Sequence, residues 1–158
     1  MPRRAAPPEA ALLLPVLRGV LRMQLASQMS KADIEVRWHQ KRLDLAVLSD
    51  DESLMVVELK VGDWRRAVDQ AFVNRWAADS SWVALWHEKV TGAAYEAAQE
   101  AGVGLLIVTK RTVYPALRPD RPVRPGEVTS VFDSVKRGTT RIRDLLADAR
   151  VVHGAAFA

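Results

Sequence analysis

Apolar and polar positions along this chain fall into alternating strand-like and helix-like stretches. Leu13, Leu17, Val20, Leu21, Met23 and Leu25 recur at helical spacing. That helix starts near Leu14, with Pro15 in a first turn that needs no N–H from it, or near Glu9 with a kink. Gly19 weakens it by up to ~1 kcal/mol relative to alanine, and Ser27 to Lys31 ends it. Ile34 to His39 alternates apolar and polar, the pattern of a half-buried strand. Gln40-Lys41 then turns into two further strands, Arg42 to Leu48 and Leu54 to Lys60. The polar cluster Ser49 to Ser53 joins them as an antiparallel hairpin.

Side chains alternate faces along a strand. Asp44 therefore shares a face with Ala46 and Leu48, and Glu58 and Lys60 share one with Leu54 and Val56. A turn centred near Asp51 pairs residues whose numbers sum to 102 and sets Asp44 opposite Glu58. Like charges directly opposed across a ladder are unfavourable. A divalent cation between them would remove the conflict.

After Lys60, Gly62 breaks the strand and Asp63 is a good N-cap. The helix that follows has Trp64, Ala67, Val68, Ala71, Phe72 and, at its end, Trp76 along one face. Trp82 to Trp86 is a strand. Gly92 to Ala101 is an alanine-rich helix ended by Gly102. Val103 to Thr109 is a continuous apolar run suited to a central strand, and Val113 to Leu117 is one more short strand. Alternation of strand and helix from Leu54 to Thr109 implies parallel pairing there. The fold class is α/β, with a mixed β-sheet flanked by helices.

Pro119, Pro122 and Pro125 mark a linker. Thr129 to Ala149 has helical apolar spacing, with a possible break at Gly138 to Thr140. The chain divides into a flexible N-terminal arm (1–8), a core (9–118), and a Pro-rich linker with a C-terminal helical extension (119–158).

At 158 residues the length fits one domain, and 49% hydrophobic with 27% charged residues is globular rather than disordered. A net charge of +4 mildly favours anionic partners such as nucleic acid. Cysteine is absent, which excludes disulfides, thiolate catalysis and Cys-based zinc sites. A cytoplasmic location is expected. Arg18, Arg22 and Pro15 interrupt the apolar start of the chain, so it does not read as a signal peptide. No run approaches the ~20 apolar residues that span a bilayer.

The pattern Asp44 … Glu58-Leu59-Lys60 resembles the D…(D/E)-x-K signature of the PD-(D/E)XK nuclease superfamily. The element order strengthens the resemblance, because αβββαβ is the restriction-endonuclease-like core of that superfamily. It covers roughly residues 9–109. Leu43 stands where the eponymous motif has proline, which many members lack.

The resemblance implies a metal-dependent nuclease acting on DNA in recombination, repair or defence. Asp44, Glu58 and the Leu59 carbonyl would bind Mg²⁺ or Mn²⁺. Lys60 would orient water and contact a phosphate oxygen. Gln70 would reach the site, as a helix glutamine does in several branches, although Asn74 stands where a tyrosine often follows it. Glu9 and Glu35 are further acidic candidates, since some relatives place an acid on the first helix. The same carboxylates also read as a salt bridge on a solvated sheet face, with Lys60 neutralising Glu58.

Arg65 and Arg66, in the first turn after Asp63, would dock phosphates with the helix's N-terminal amides. Lys136, Arg137, Arg141 and Arg143 form a second basic set. Trp38, Trp82 and Trp86 read as core, and His39, His87 and His153 as surface or turn residues without metal spacing. Small nucleases of this kind work as homodimers or within larger complexes. A different class of function also fits, a nucleic-acid-binding or protein-assembly module that keeps the fold without turnover.

Overall fold

The hairpin between residues 41 and 60 forms in the expected register. The structure, a computed structural model, describes residues 5–22, 29–49, 53–120 and 128–137. Strands β2 (Lys41–Ser49) and β3 (Leu54–Lys60) pair antiparallel as Leu45↔Val57, Ala46↔Val56, Val47↔Met55 and Leu48↔Leu54, each summing to 102. Strand β1 (Met29–Trp38) precedes them and pairs antiparallel with β2 across a two-residue turn at His39-Gln40.

Strands β4 (Ser80–Trp86) and β5 (Gly104–Val108) add in parallel, and β6 (Val113–Leu117) closes the far edge antiparallel. The result is one mixed six-stranded sheet in the order β1-β2-β3-β4-β5-β6. Helix α2 (Trp64–Asn74) connects β3 to β4, and α3 (Gly92–Ala101) connects β4 to β5. Helix α1 (Leu13–Arg22) continues from a 3₁₀ turn at Glu9–Leu12, so the helix starts near Glu9 and changes pitch before Pro15.

Both sheet faces are covered. On one, Leu12, Val16, Leu17 and Val20 pack on Leu45, Val47, Val57, Trp82 and Leu106. On the other, α2 and α3 set Ala67, Val68, Ala71, Ala94 and Ala98 against Val83, Leu85 and Leu105. Helix α4 (Val128–Arg137) lays Val131 and Val135 on Trp38, Leu43, Ala46 and Val56. Trp38, Trp82 and Trp86 are core residues, as read from the sequence. Gly102 ends α3 at φ 68°, a conformation glycine adopts without a Cβ penalty.

Several expectations are corrected. Met29 to Lys31 belong to β1, which begins five residues before Ile34, rather than ending the first helix. Ile34 is 38% exposed while Val36 and Trp38 are buried, so the alternation breaks between them. The break coincides with Glu35 at φ 50°, which turns the strand over. A matching flip occurs on β2, where Leu43 joins the α4 face and Leu45 the α1 face. Phe72 on α2 and Trp76 in the turn after it are 48% and 57% exposed, and Asn74 takes the inward position instead. The arm's residues 1–4, the turn centre at 50–52, the linker at 121–127 and the chain beyond Arg137, with Arg141, Arg143 and His153, lie outside the described residues.

Candidate active site

The β2–β3 ladder closes with Leu45↔Val57, and the next residues part company. In place of a continued backbone pair, the Leu59 N–H donates to Asp44 Oδ2 at 2.8 Å. The Asp44 side chain thus replaces a strand partner, which the flip of β2 permits. Glu58 is buried, only 5% exposed, and lies near enough to Asp44 for that carboxylate's charge to act on it. The ladder stops one residue short of the expected Asp44–Glu58 pair, and the two side chains interact through their charges instead.

Burial is the main reason that the Glu58 carboxyl is pushed up to about 7, and the charge of Asp44 adds to it. Asp44 is also raised, again chiefly by burial, with the Leu59 N–H working against the shift. Both shifts favour the protonated form, so the pair retains a proton to higher pH than ordinary carboxyls do.

Four other polar side chains frame the pair. Lys60 Nζ makes an ion pair with Glu9 Oε1 at 3.1 Å. Its salt-bridge partner is therefore Glu9 on the 3₁₀ turn, not Glu58, which corrects the sequence reading. Lys41 Nζ donates to Asn74 Oδ1 at 2.6 Å, and Asn74 Nδ2 reaches Glu58 Oε2 through a long hydrogen bond of 3.5 Å. Asn74 is fully buried. Burial lowers the Lys41 pKa, while the charges of Glu58 and Asp44 oppose that shift.

Lys41 and Asn74 were not singled out from sequence. The signal for Asn74 was available: it lies four residues after Gln70 on the same helix face. Lys41 looked like a turn residue, and only the start of β2 one residue earlier aims it at the pair.

Gln70 lies on α2 with its amide oxygen buried and without a hydrogen-bond partner among the described residues. No hydrogen bond links it to Asp44 or Glu58 among those residues. Arg65 and Arg66 are exposed in the first turn of α2; Asp63 Oδ1 caps the Arg66 N–H, and the Arg65 guanidinium lies 4.4 Å from the Trp64 ring centroid. His39 and His87 are exposed, as are Lys136 and Arg137 on α4.

A cleft of about 260 Å³ reaches Asp44 from the α1 side, lined by Glu9, Ala10, Leu13, Ile34, Glu35, Asp44 and Leu59. Glu35 is exposed and pairs with Arg42 at 3.7 Å. Among the described residues no group of three or more His, Cys, Asp or Glu side chains is placed to hold a metal. What the site offers is two hard oxygen donors. Mg²⁺ is commonly held by one or two carboxylates plus waters, so the donor set fits such an ion.

No family model and no curated protein matches the chain. Among solved structures, a protein of unknown function from Silicibacter pomeroyi shares the fold, with a TM-score of 0.61 and 16% identity over 94% of this chain and 90% of that one. A repair endonuclease from Pyrococcus abyssi aligns over 78% of this chain and 50% of its own, with a TM-score of 0.46 and 14% identity. SfsA from Pyrococcus furiosus, solved in complex with Ca²⁺, aligns over 71% and 65%, with a TM-score of 0.40 and 12% identity. The likeness to the Silicibacter protein is one of fold, which in this chain is α/β and built on a mixed six-stranded sheet. No helix among the described residues is long and apolar enough to cross a membrane.

Proposed function

We propose that this protein is a metal-dependent nuclease of PD-(D/E)XK type, hydrolysing phosphodiester bonds in DNA. One observation carries the reading: the buried Glu58 lies within reach of the Asp44 charge where the β2–β3 ladder opens. Burying two carboxyls together costs stability unless something offsets it. Mg²⁺ or Mn²⁺ held by Asp44, Glu58 and the Leu59 carbonyl would supply that compensation, lowering the pKa of a bound water and offsetting phosphate charge.

The chain's own groups set the geometry. The Leu59 N–H orients Asp44, and Asn74 with Lys41 fixes Glu58. Glu9 pairs with Lys60 Nζ, and Lys60 would orient a water or a phosphate oxygen. Water adds to phosphorus as the phosphorus–oxygen bond to the leaving strand breaks; the attacking water gives up a proton to solvent and the leaving oxygen takes one up from it. Arg65 and Arg66 contact phosphates from the start of α2, and Gln70 supports the site from that helix.

A second reading, a nucleic-acid-binding module without turnover, draws on the ion pair that engages Lys60 with Glu9. Incubation of the full chain with labelled single-stranded DNA, duplex DNA and RNA in Mg²⁺, Mn²⁺ or EDTA separates the two. Metal-dependent cleavage is expected, reduced at least ~10²-fold in Asp44→Asn and Glu58→Gln, the lower end of what a positioned proton-transfer group contributes. Binding without cleavage in either metal would select the second reading.

A further inference from the structure

A second cleft, of about 300 Å³, lies along the Pro15–Arg18–Arg22 face of α1, between that helix and the turn joining β5 to β6. Arg18 and Arg22 enter it from the helix, and Lys110 and Arg111 from the turn. No aspartate or glutamate lines it. Among the described residues no ion pair engages Arg18, Lys110 or Arg111, and all three are exposed.

The cleft's walls are fixed. Arg22 Nη2 donates to Thr112 Oγ1 at 3.1 Å and to the Val113 carbonyl at 3.4 Å, tying the end of α1 to the turn. Within the turn, Thr109 Oγ1 accepts from the Arg111 N–H at 3.2 Å and the Thr112 N–H at 3.0 Å. Lys110 and Arg111 are thus presented from a pinned loop. Four cations gathered without an acid repel one another, and an anion seated among them removes that cost.

From this placement we infer that the basic cleft binds the phosphate backbone of a nucleic-acid strand several nucleotides from the carboxyl pair. The inference rests on the phosphodiester reading of that pair and names where its substrate runs. Parallel strands β3 and β5 end at the same sheet edge, with Lys60 closing β3 and the basic turn following β5. The 3₁₀ turn carrying Glu9 packs on β3, while α1 packs on β5 and β6. At about 4.8 Å between strands, the two clefts lie on the order of 10–14 Å apart. A strand rising ~3.4 Å per nucleotide covers that gap in three to four steps. One strand can therefore touch both clefts, its backbone held by the cations and its phosphodiester bond presented to the acids.

The test is anisotropy of a labelled single-stranded oligonucleotide with the full chain in EDTA, across a salt series. Arg18→Ala, Lys110→Ala and Arg111→Ala combined should weaken binding and lower the log–log salt slope by about 2, at ~0.7 per cation on a single strand. Lys110→Glu with Arg111→Glu at the turn alone should weaken it further, and melts of both variants check that they fold. A folded triple variant with wild-type affinity and slope overturns the inference. So does a mononucleotide that binds as tightly as the oligonucleotide, which would make the cleft a small-anion pocket. Absence of oligonucleotide binding by the wild type also overturns it. In each case metal-dependent cleavage decides separately whether the hydrolytic reading stands.

Discussion

Helix α1 has an acidic cleft at one end and a basic cleft along another face, and the two handle charge by different means. Beside Asp44 the acidic end takes a carboxylate out of water, with Glu58 5% exposed and Asp44 half-buried. There each charge needs a partner, a proton or a cation, and the side chains are bonded to one another. Around Arg18, Lys110 and Arg111 the charges stand in solvent, and only the scaffold beneath them is fixed by hydrogen bonds. Burial turns a pair of carboxyls into a proton- or metal-responsive unit, and exposure leaves cations to act at long range through a field that salt screens.

The largest effect that separates the two ends is the pH dependence of folding. The folded chain keeps a proton on Glu58 up to about pH 7, whereas an ordinary glutamate releases it near 4.5. The folded state then binds more protons than the unfolded one, so stability falls as pH rises between those values and levels off above. Linkage puts the loss at up to ~3 kcal/mol, and the raised Asp44 carboxyl acts in the same direction. Urea titrations at pH 5, 6, 7 and 8 in EDTA measure it. Glu58→Gln should flatten the profile and raise stability at pH 8, and a flat wild-type profile would erase the contrast between the clefts.

Next in size is Asn74, which bridges Lys41 to Glu58 from a fully buried position. Asn74→Leu leaves both groups without that partner and should cost about 1–3 kcal/mol. The loss should shrink when combined with Glu58→Gln, and strict additivity in that double-mutant cycle would remove Asn74 from the acidic unit.

The smallest effect sharpens the boundary of the acidic end. Glu9 is 46% exposed at its side chain, and its pair with Lys60 is partly solvated. Glu9→Gln should change stability by less than ~1 kcal/mol. A larger loss in thermal melts would place Glu9 with the buried groups.

Much of this arrangement was legible in the sequence because it follows from periodicity. The turn cluster at Ser49 to Ser53 and the two apolar runs beside it fix the hairpin register, which brings Asp44 to Glu58. Gly102 and Asp63 mark helix ends by chemistry that depends on few neighbours. The site's frame was less legible because it depends on departures from periodicity. Glu35 at positive φ and the flip at Leu43 carry no local signal of the kind glycine gives, since nothing near them requires the turn until both strands are paired. Glu9 reaches Lys60 only because a 3₁₀ turn lengthens the start of the first helix. Phe72 and Trp76 fit the apolar stripe of α2 by spacing, yet both are exposed, and Asn74 is the residue buried between them.

The strand order has a consequence for how the molecule assembles. Position in the sheet repeats position in the chain, so no strand waits for a later one to be inserted beside it. Every group of the acidic unit lies between Glu9 and Asn74, on elements that precede β4. Loop closures within that stretch are short, which lowers their entropic cost. During synthesis the carboxyl pair is thus already drawn together by a nascent meander, and the basic turn arrives with the last two strands.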